Sequence, residues 1–371
     1  MGIKPIFDPH QWMLVPFSFW GVVSFVFGCI VGSFLNVCIY RMPIGKSIVS
    51  PPSHCPHCDY SIPWFLNIPL FTWLYLRGRC VNCKAPISSR YFFVELLTGL
   101  MFLGLWVTYG RQSVPLVLVY ATLISGLIVA TFIDIEHFII PDEITLGGIV
   151  VGFICSFLVP SLHGAEAGVF ALRDSFLGII VGGGLIYLIL RVGKLLFGKK
   201  KLQLPADTLV VFTEDALVFE GQTIPFEELF YRKTDVIAME ARRVELIDRC
   251  YSNISVRLSP EELHLGDEIL KPEEVLHMEV LTERMVLPQE AMGFGDVKFM
   301  AAIGAFLGWQ ATLFCLMVSS IIGAVVGVLL ILLKKQEWSS RLPYGPYIAL
   351  AATIWIFGGQ RFFTWILHGM P

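Results

Sequence analysis

The stretch Gly293-Phe294-Gly295-Asp296 places a carboxylate at the start of a long apolar run, residues 297–333, which is interrupted near Gly308-Trp309-Gln310. A second carboxylate, Asp134, ends another apolar run, residues 116–133. Ionisable groups in such runs are costly unless they are paired or face water, so they mark functional sites. The two glycines of the motif remove side-chain bulk and let another backbone or a substrate approach. Two aspartates in such positions predict an enzyme in which a water molecule is activated between the two carboxylates.

The composition predicts a membrane protein. The chain has 371 residues, of which 55% are hydrophobic and 15% are charged, whereas soluble domains carry about 25% charged residues. Apolar segments long enough to cross a bilayer, about 17–25 residues, begin near Phe17, Phe92, Pro115, Ile144, Ser175, Val297, Ala311 and Tyr347. We therefore expect an all-α polytopic protein with about eight transmembrane helices. The first segment lacks a basic stretch and a cleavage site, which favours a retained helix over a signal peptide.

Basic residues predict the orientation of the helices. Lys and Arg are concentrated in three loops, residues 41–90, 199–201 and 334–341. With eight spans these loops fall on one side, which the positive-inside rule assigns to the cytoplasm. Both chain ends then face outward, and Asp134 and Asp296 both lie at cytoplasmic helix ends. Because both aspartates fall on the same side of the membrane, the topology supports the interpretation that they act as a pair.

The chain divides into five predicted regions. They are a first transmembrane helix (1–42), a cytoplasmic loop with four cysteines (43–90), helices two to five with Asp134 (91–198), an insertion (199–290) and helices six to eight with Asp296 (291–371). The insertion has 11 Lys and Arg against 19 Asp and Glu, a balance of −8. Apolar segments flank Thr213-Glu214-Asp215, which indicates a hairpin. We expect a small β-rich cytoplasmic domain, whose simplest role is that of a spacer or a docking module.

The cysteine loop predicts a metal centre. Cys55-Pro-His-Cys58 and Cys80-Val-Asn-Cys83 are two C-x-x-C motifs about twenty residues apart, a zinc-ribbon spacing. Four thiolates close the tetrahedral shell of a structural zinc ion. Two disulfides are the alternative, which the reducing cytoplasm disfavours. His57 could replace one ligand, but the set of four cysteines is complete without it.

Residues 132–142 hold several acidic candidates. Asp142 follows Pro141, in the first turn of a helix, where a carboxylate is favourable for capping alone. Asp134 and Asp296 have no such local role, although Lys298 could pair with Asp296. The residues by themselves do not rank Asp134 above Glu136. Two close carboxylates cannot both ionise easily, so they share a proton and can supply both the base and the acid for peptide hydrolysis.

Together these motifs resemble those of a known family, the type IV prepilin peptidases, which are leader peptidases and N-methyltransferases of pilus and type II secretion systems. The matching residues are Gly32-Ser33-Phe34-Leu35-Asn36-Val37 with Arg41, the four cysteines, Asn67-Ile68-Pro69, Arg90-Tyr91 with Glu95, Ile133-Asp134 to Pro141-Asp142, Gly293-Phe294-Gly295-Asp296 with Lys298, and Pro343-Tyr344-Gly345-Pro346.

The resemblance implies a function. Asp134 and Asp296 would be the catalytic pair of a Gly-x-Gly-Asp intramembrane aspartyl protease in the bacterial inner membrane, supported by Gly293, Gly295 and Lys298. This choice sets Asp134 above Glu136 and Asp142. The enzyme would remove a short basic leader from prepilins and pseudopilins. It would then methylate the new amino terminus from S-adenosylmethionine, with Gly32, Asn36 and Glu95 as candidate methylation residues.

The insertion departs from the short loop that is usual in the resembled family. From its position just before Gly293, we expect it either to gate substrate access or to dock a pilus or secretion assembly protein. No nucleic-acid partner is expected.

Two other functions fit parts of the sequence. A proton-coupled transporter could use Asp134 and Asp296 as a relay, but no inverted repeat with broken helices in both halves is evident. A zinc-ribbon membrane scaffold, with carboxylates merely paired to lysines, would leave the glycines before Asp296 unexplained.

Overall fold

The computed structural model describes residues 16–230, 233, 235–288, 293–333, 342–359 and 363. It divides into a helical unit, Met1–Ile186 with Phe294–Pro371, and a sheet unit, Tyr187–Gly293. The helices are α1 (Phe17–Arg41), α2 (Phe71–Tyr75), α3 (Ser89–Tyr109), α4 (Val114–His137), α5 (Asp142–Leu158), α6 (Gly168–Phe197), α7 (Phe226–Leu229), α8 (Phe294–Leu332) and α9 (Gly345–Ile354).

The helical unit agrees with the prediction of a multi-spanning membrane protein. Within the described ranges, five helices are long and apolar enough to cross a membrane, namely α1, α3, α4, α6 and α8. The residues at which the eight expected apolar segments begin all lie in helices, because α8 contains two of these residues and the shorter α5 and α9 contain one each. The predicted outward-facing chain ends lie outside the described residues.

Helix α8 is a helical hairpin rather than one straight rod. Gly308 has φ 80° and ψ 175°, which no helix contains. A Cβ atom on Gly182 of α6 would lie 2.6 Å from the Met300 carbonyl oxygen and 3.0 Å from Thr312 Cγ2, yet residues twelve apart in a straight helix are about 18 Å apart. The arms 294–307 and 309–332 therefore lie side by side. The break predicted near Gly308 is confirmed.

Serine hydroxyls satisfy the backbone at this break. The interruption at Gly308 removes the helical donor for the Ala305 carbonyl. Ser156 and Ser175 instead donate to that oxygen, at 3.1 and 2.8 Å. His163 contacts the Ser156 hydroxyl at 2.8 Å. The hairpin is thus held to α5 and α6 by hydrogen bonds as well as by apolar packing.

Small residues let helices pack with their backbones in contact. On α1, a Cβ on Gly28 would lie 2.8 Å from the Gly99 Cα, and one on Gly32 would lie 2.8 Å from the Glu95 Cα. Glycines four residues apart are typical of close helix pairs in membranes. Gly32, predicted as a methylation residue, therefore has a packing role between α1 and α3.

The sheet unit confirms a β-rich insertion. Its eight antiparallel strands run in the order β3-β2-β1-β8-β4-β5-β6-β7 and enclose an apolar core. They are β1 (Lys199–Phe212), β2 (Ala216–Phe219), β3 (Gln222–Pro225), β4 (Ile237–Leu246), β5 (Cys250–Leu258), β6 (Leu263–Leu265), β7 (Glu268–Leu270) and β8 (Met278–Pro288). The predicted hairpin around Thr213-Glu214-Asp215 joins β1 to β2.

The first and last strands of this unit are neighbours. Lys199 at the start of β1 pairs with Pro288 at the end of β8, and Leu202 pairs with Met285. Cα atoms of directly opposed residues are about 4.5–5.5 Å apart in an antiparallel ladder. The two ends of the insertion described here, at Lys199 and Pro288, therefore lie next to each other within the sheet unit.

Candidate active site and metal centre

The four predicted metal ligands form one cluster. The sulfur atoms of Cys55, Cys58, Cys80 and Cys83 all lie within 4.8 Å of one another. The Cys55–Cys83 and Cys58–Cys80 sulfur separations are 3.8 and 4.0 Å. Tetrahedral zinc with Zn–S bonds of about 2.3 Å requires about 3.8 Å between sulfurs. The four sulfurs therefore fit a closed zinc shell, and all four cysteines are free.

Two similar turns build this cluster. The Asp59 N–H donates to the Cys55 carbonyl, and the Lys84 N–H donates to the Cys80 carbonyl. Both Asp59 and Lys84 have positive φ, which lets the chain turn back around each sulfur. The Cys83 backbone N–H, with that of Asn82, lowers the pKa of the Cys80 thiol to about 6. The turn thus stabilises the thiolate form that binds zinc. His57 is exposed and is not part of the cluster.

The predicted methylation residues also lie together, between α1 and α3. The Asn36 side-chain amide donates to the Gly32 and Tyr91 carbonyls, at 3.3 and 3.0 Å. The Asn36 Oδ1 atom is buried and has no hydrogen-bond partner in the part of the chain that the structure describes. One turn further along α3, the buried Glu95 carboxylate accepts the Leu70 N–H at 2.7 Å. A buried acceptor and a buried carboxylate thus face the same helix interface.

Asp134 is held by the start of another helix. It lies in the last turn of α4 and is buried. Its Oδ2 atom accepts the backbone N–H of Gly345, the first residue of α9, at 2.9 Å. A Cβ on Gly345 would lie 2.8 Å from that same oxygen. Only glycine leaves room for the carboxylate in this position.

The segments that carry the two aspartates meet around Ile140. A Cβ on Gly345 would lie 3.2 Å from Ile140 Cδ1, and one on Gly295 would lie 3.4 Å from Ile140 Cβ. Asp296 follows Gly295 in the first turn of α8 and is buried. The structure therefore places Asp134 and Asp296 in the same part of the helical unit.

The other two acidic candidates are each engaged by a basic residue. Glu136 forms an ion pair with Arg90, at the start of α3. Asp142 forms an ion pair with Lys298, whose role was predicted as support for Asp296. Asp134 has no ion pair with a basic side chain within the described residues. These ion pairs favour Asp134 over Glu136 and Asp142 as the carboxylate that acts with Asp296.

Some of these neighbours carry little signal in the sequence. Gly345 and Arg90 stand in motifs without an indicated role, and nothing in the sequence marks Ile140. The Gly345-Pro346 pair does carry a signal, because proline is common in the first turn of a helix. Nothing local indicated that this helix start would face Asp134.

Two family models match parts of this chain. Residues 26–109 match a family model described as the bacterial peptidase A24 N-terminal domain. Residues 121–203 and 275–328 match a model of the type IV leader peptidase family. Residues 204–274, which form most of the sheet unit, lie outside both matches. No solved structure gives a significant match.

Curated relatives carry consistent names. The chain is 29% identical over 378 residues to a prepilin leader peptidase/N-methyltransferase of Aeromonas hydrophila, covering 95% of each protein. It is 30% identical over 313 residues to one of Myxococcus xanthus, covering 84% of this chain and 63% of that protein. It is 37% identical over 179 residues to a type 4 prepilin-like proteins leader peptide-processing enzyme of Escherichia coli, covering 43% and 63%.

Proposed function

Because the chain belongs to the type IV leader peptidase family, we propose that it is a membrane aspartyl endopeptidase acting on type IV prepilins and type II secretion pseudopilins. It removes their short basic leader and then N-methylates the new amino-terminal residue. The observation that carries the catalytic assignment is the arrangement around Ile140. The segments bearing Asp134 and Asp296 meet there, while Glu136 and Asp142 are engaged by Arg90 and Lys298.

Hydrolysis requires the two aspartates to share one proton, so that one carboxyl group is ionised and the other is protonated. The ionised carboxylate takes a proton from water as the oxygen attacks the scissile carbonyl carbon, and the protonated carboxyl gives its proton to the carbonyl oxygen. As the tetrahedral intermediate collapses, one of its hydroxyl groups returns a proton to the carboxylate that had donated one. The C–N bond breaks, and the amine leaves with the proton that the other carboxyl took from water. The Gly345 N–H fixes the orientation of the Asp134 carboxylate during both steps.

The length of the first α8 arm supports a site within the bilayer. The arm 294–307 is about 21 Å long, whereas the hydrocarbon core of a bilayer is about 30 Å thick. If Gly308 lies at the outer surface of the hydrocarbon core, the arm ends before it reaches the cytoplasmic surface. Asp296 then lies inside the core, where little bulk water reaches it. A leader peptide cut at this depth must enter from the cytoplasmic side in an extended form.

The positive-inside rule supports the orientation. With eight spans, in which α8 counts twice, the cysteine loop, the sheet unit and both aspartates fall on the cytoplasmic side of the inner membrane. Both chain ends then lie on the periplasmic side.

The interface between α1 and α3 is the proposed methylation region. S-adenosylmethionine supplies the methyl group to the free amine of the cleaved pilin. Asn36 offers an acceptor that has no partner among the described residues, and Glu95 offers a carboxylate. Both suit the amino groups of the cofactor or the pilin. Gly32 contributes by letting the helices approach closely.

A direct assay tests the function. The purified protein is placed in lipid vesicles with a prepilin-like substrate and methyl-labelled S-adenosylmethionine. We expect release of the leader and then labelling of the new amino terminus, because cleavage must create the amine that is methylated. An intact substrate under conditions where the protein is folded would contradict the proposal.

The zinc centre yields a separate prediction. The wild-type protein is expected to bind about one zinc ion per chain, and the Cys55→Ser/Cys80→Ser variant is expected to lose it. Methylation should fall more than cleavage, because the loop contacts Glu95 through Leu70. Metal analysis and the two activity assays measure these effects.

Cys250→Ser is the matched control, because Cys250 is exposed and lies outside the cysteine cluster. It should retain zinc and both activities. Wild-type protein without bound metal would refute the zinc assignment.

The sheet unit is proposed as a docking module for a pilus or secretion assembly protein rather than as a gate. Most of it, residues 204–274, lies outside the matched regions, and residues 199–290 carry a net charge of −8; both observations support this role. Lys201 pairs with Val286, so residues 202–285 can be replaced by Asn-Gly, which closes a two-residue hairpin. We expect the deletion variant to cleave a purified prepilin in vesicles at close to the wild-type rate.

The same deletion variant should process less prepilin in cells, because the docking partner is lost. A large loss of cleavage in vesicles, with zinc content and methylation retained, would favour gating instead. If the deletion variant processes prepilin at the wild-type level both in vesicles and in cells, the docking role is excluded.

A further inference from the structure

An exposed apolar surface lies in the cysteine loop, between the two C-x-x-C motifs. In residues 64–75, which we call the aromatic segment, Trp64 is 83% exposed, Tyr75 is 71% exposed and Phe71 is 63% exposed. Phe71 and Tyr75 stack on one side of α2, with ring centroids 6.1 Å apart. Phe65, Ile68 and Leu74 add to this surface. Contiguous apolar patches of this kind mark sites of contact with a protein or a membrane.

The opposite side of the aromatic segment is attached to α3. The Leu70 N–H donates to the Glu95 carboxylate at 2.7 Å, and the Trp73 ring lies 5.3 Å from the Phe92 ring. Leu70 has φ 59°, a strained conformation for a residue with a branched side chain. Such strain persists only where surrounding contacts hold the chain, so the attachment fixes the segment in place.

This attachment sets the height of the segment along α3. Glu95 lies six residues after Ser89, the first residue of the helix, which is about 9 Å along the helix axis. The aromatic segment therefore lies beside the first turns of a helix that is long and apolar enough to cross a membrane. It does not lie beyond the end of that helix.

The chemistry of the segment matches a lipid surface. Trp and Tyr are enriched where the headgroups meet the acyl chains. Arg77, Arg79 and Lys84 follow the segment directly, and basic residues near a membrane are attracted to anionic lipids. On α3, Phe93 is also exposed, so the apolar surface continues onto the helix.

We propose that the aromatic segment is inserted into the cytoplasmic interface of the bilayer, with its exposed rings at the acyl boundary and the following basic residues at the lipid phosphates. The zinc centre next to it then has a purpose beyond folding the loop, since it holds the segment at a fixed depth beside α3. This proposal requires α3 to span the membrane and does not depend on peptidase activity.

Photo-crosslinking tests the proposal. A benzophenone amino acid replaces Phe71 in one variant and Tyr75 in another, and each full-length protein is reconstituted in vesicles of phosphatidylethanolamine and phosphatidylglycerol. Ile247 is the control position, because it is 83% exposed and lies in the sheet unit. Equal zinc content in all variants shows that the loop is folded. We expect several-fold more lipid adduct at positions 71 and 75 than at position 247.

Two results would overturn the proposal. Lipid adducts at positions 71 and 75 that do not exceed those at position 247 would show that the segment faces water. Adducts that change from lipid to substrate when a prepilin-like protein is added would show that the surface binds the apolar part of the pilin.

Discussion

Asp134→Asn and Asp296→Asn are each expected to slow leader cleavage by about 10²–10⁴-fold, the usual contribution of a general acid or base. Asn keeps the shape of the side chain but cannot exchange a proton. Either change therefore leaves the site with one carboxyl where the reaction needs two. Single-turnover cleavage of a prepilin-like substrate in vesicles measures the effect.

Glu136→Gln and Asp142→Asn are the matched controls. Each removes a carboxylate from the same region but breaks only an ion pair, with Arg90 or with Lys298. Exposed ion pairs contribute about 0–1 kcal/mol, so cleavage should stay near the wild-type rate. Methylation of a pre-cleaved substrate, which does not need the aspartates, reports that each variant is folded.

A double variant tests whether the aspartates act as a unit. Asp134→Asn with Asp296→Asn should be about as slow as either single variant, because the first substitution already removes the shared proton. Cleavage at the wild-type rate by both single variants would exclude the protease mechanism. In that case a proton relay or a purely structural pairing would have to account for the two carboxylates.

Much of the membrane architecture was predictable because hydropathy dictates it. A helix is required wherever the chain crosses lipid, since every backbone polar group must be satisfied within the segment. This is why the apolar segments coincide with helices and why the polar break near Gly308 coincides with a turn. The sheet order was not predictable. Strand β1 pairs with β8, the strand furthest from it in the sequence, and no local pattern specifies such a partner.

The candidate site divides in the same way. The cysteine cluster was predictable, because a metal ion imposes a short spacing within each C-x-x-C motif. The resemblance to a known family already ranked the carboxylates, but the physical reason for that ranking needed the fold. Arg90 is 46 residues from Glu136, and Lys298 is 156 residues from Asp142. The sequence around residue 134 therefore does not show the ion pairs that distinguish Glu136 and Asp142 from Asp134.

Gly345→Ala is expected to reduce cleavage by roughly 10²-fold, the effect of displacing a reacting group by about 1 Å. The new Cβ would lie 2.8 Å from Asp134 Oδ2, so the carboxylate must move and its hydrogen bond to the Gly345 N–H is weakened. Because a side-chain end can shift more easily than a backbone, the fold should tolerate the change. The expected signature is a lower kcat with KM and methylation unchanged.

Gly147→Ala is the matched control, since Gly147 lies in α5 and a Cβ there would meet nothing within 4 Å. It should cleave at the wild-type rate. A general effect of adding a methyl group to a membrane helix would slow both variants, whereas a positioning role for Gly345 slows only one. Gly345→Ala with an unchanged kcat would mean that the hydrogen bond to Asp134 does not set the geometry of catalysis. The carboxylate would then have to be oriented by the substrate itself when the leader peptide binds.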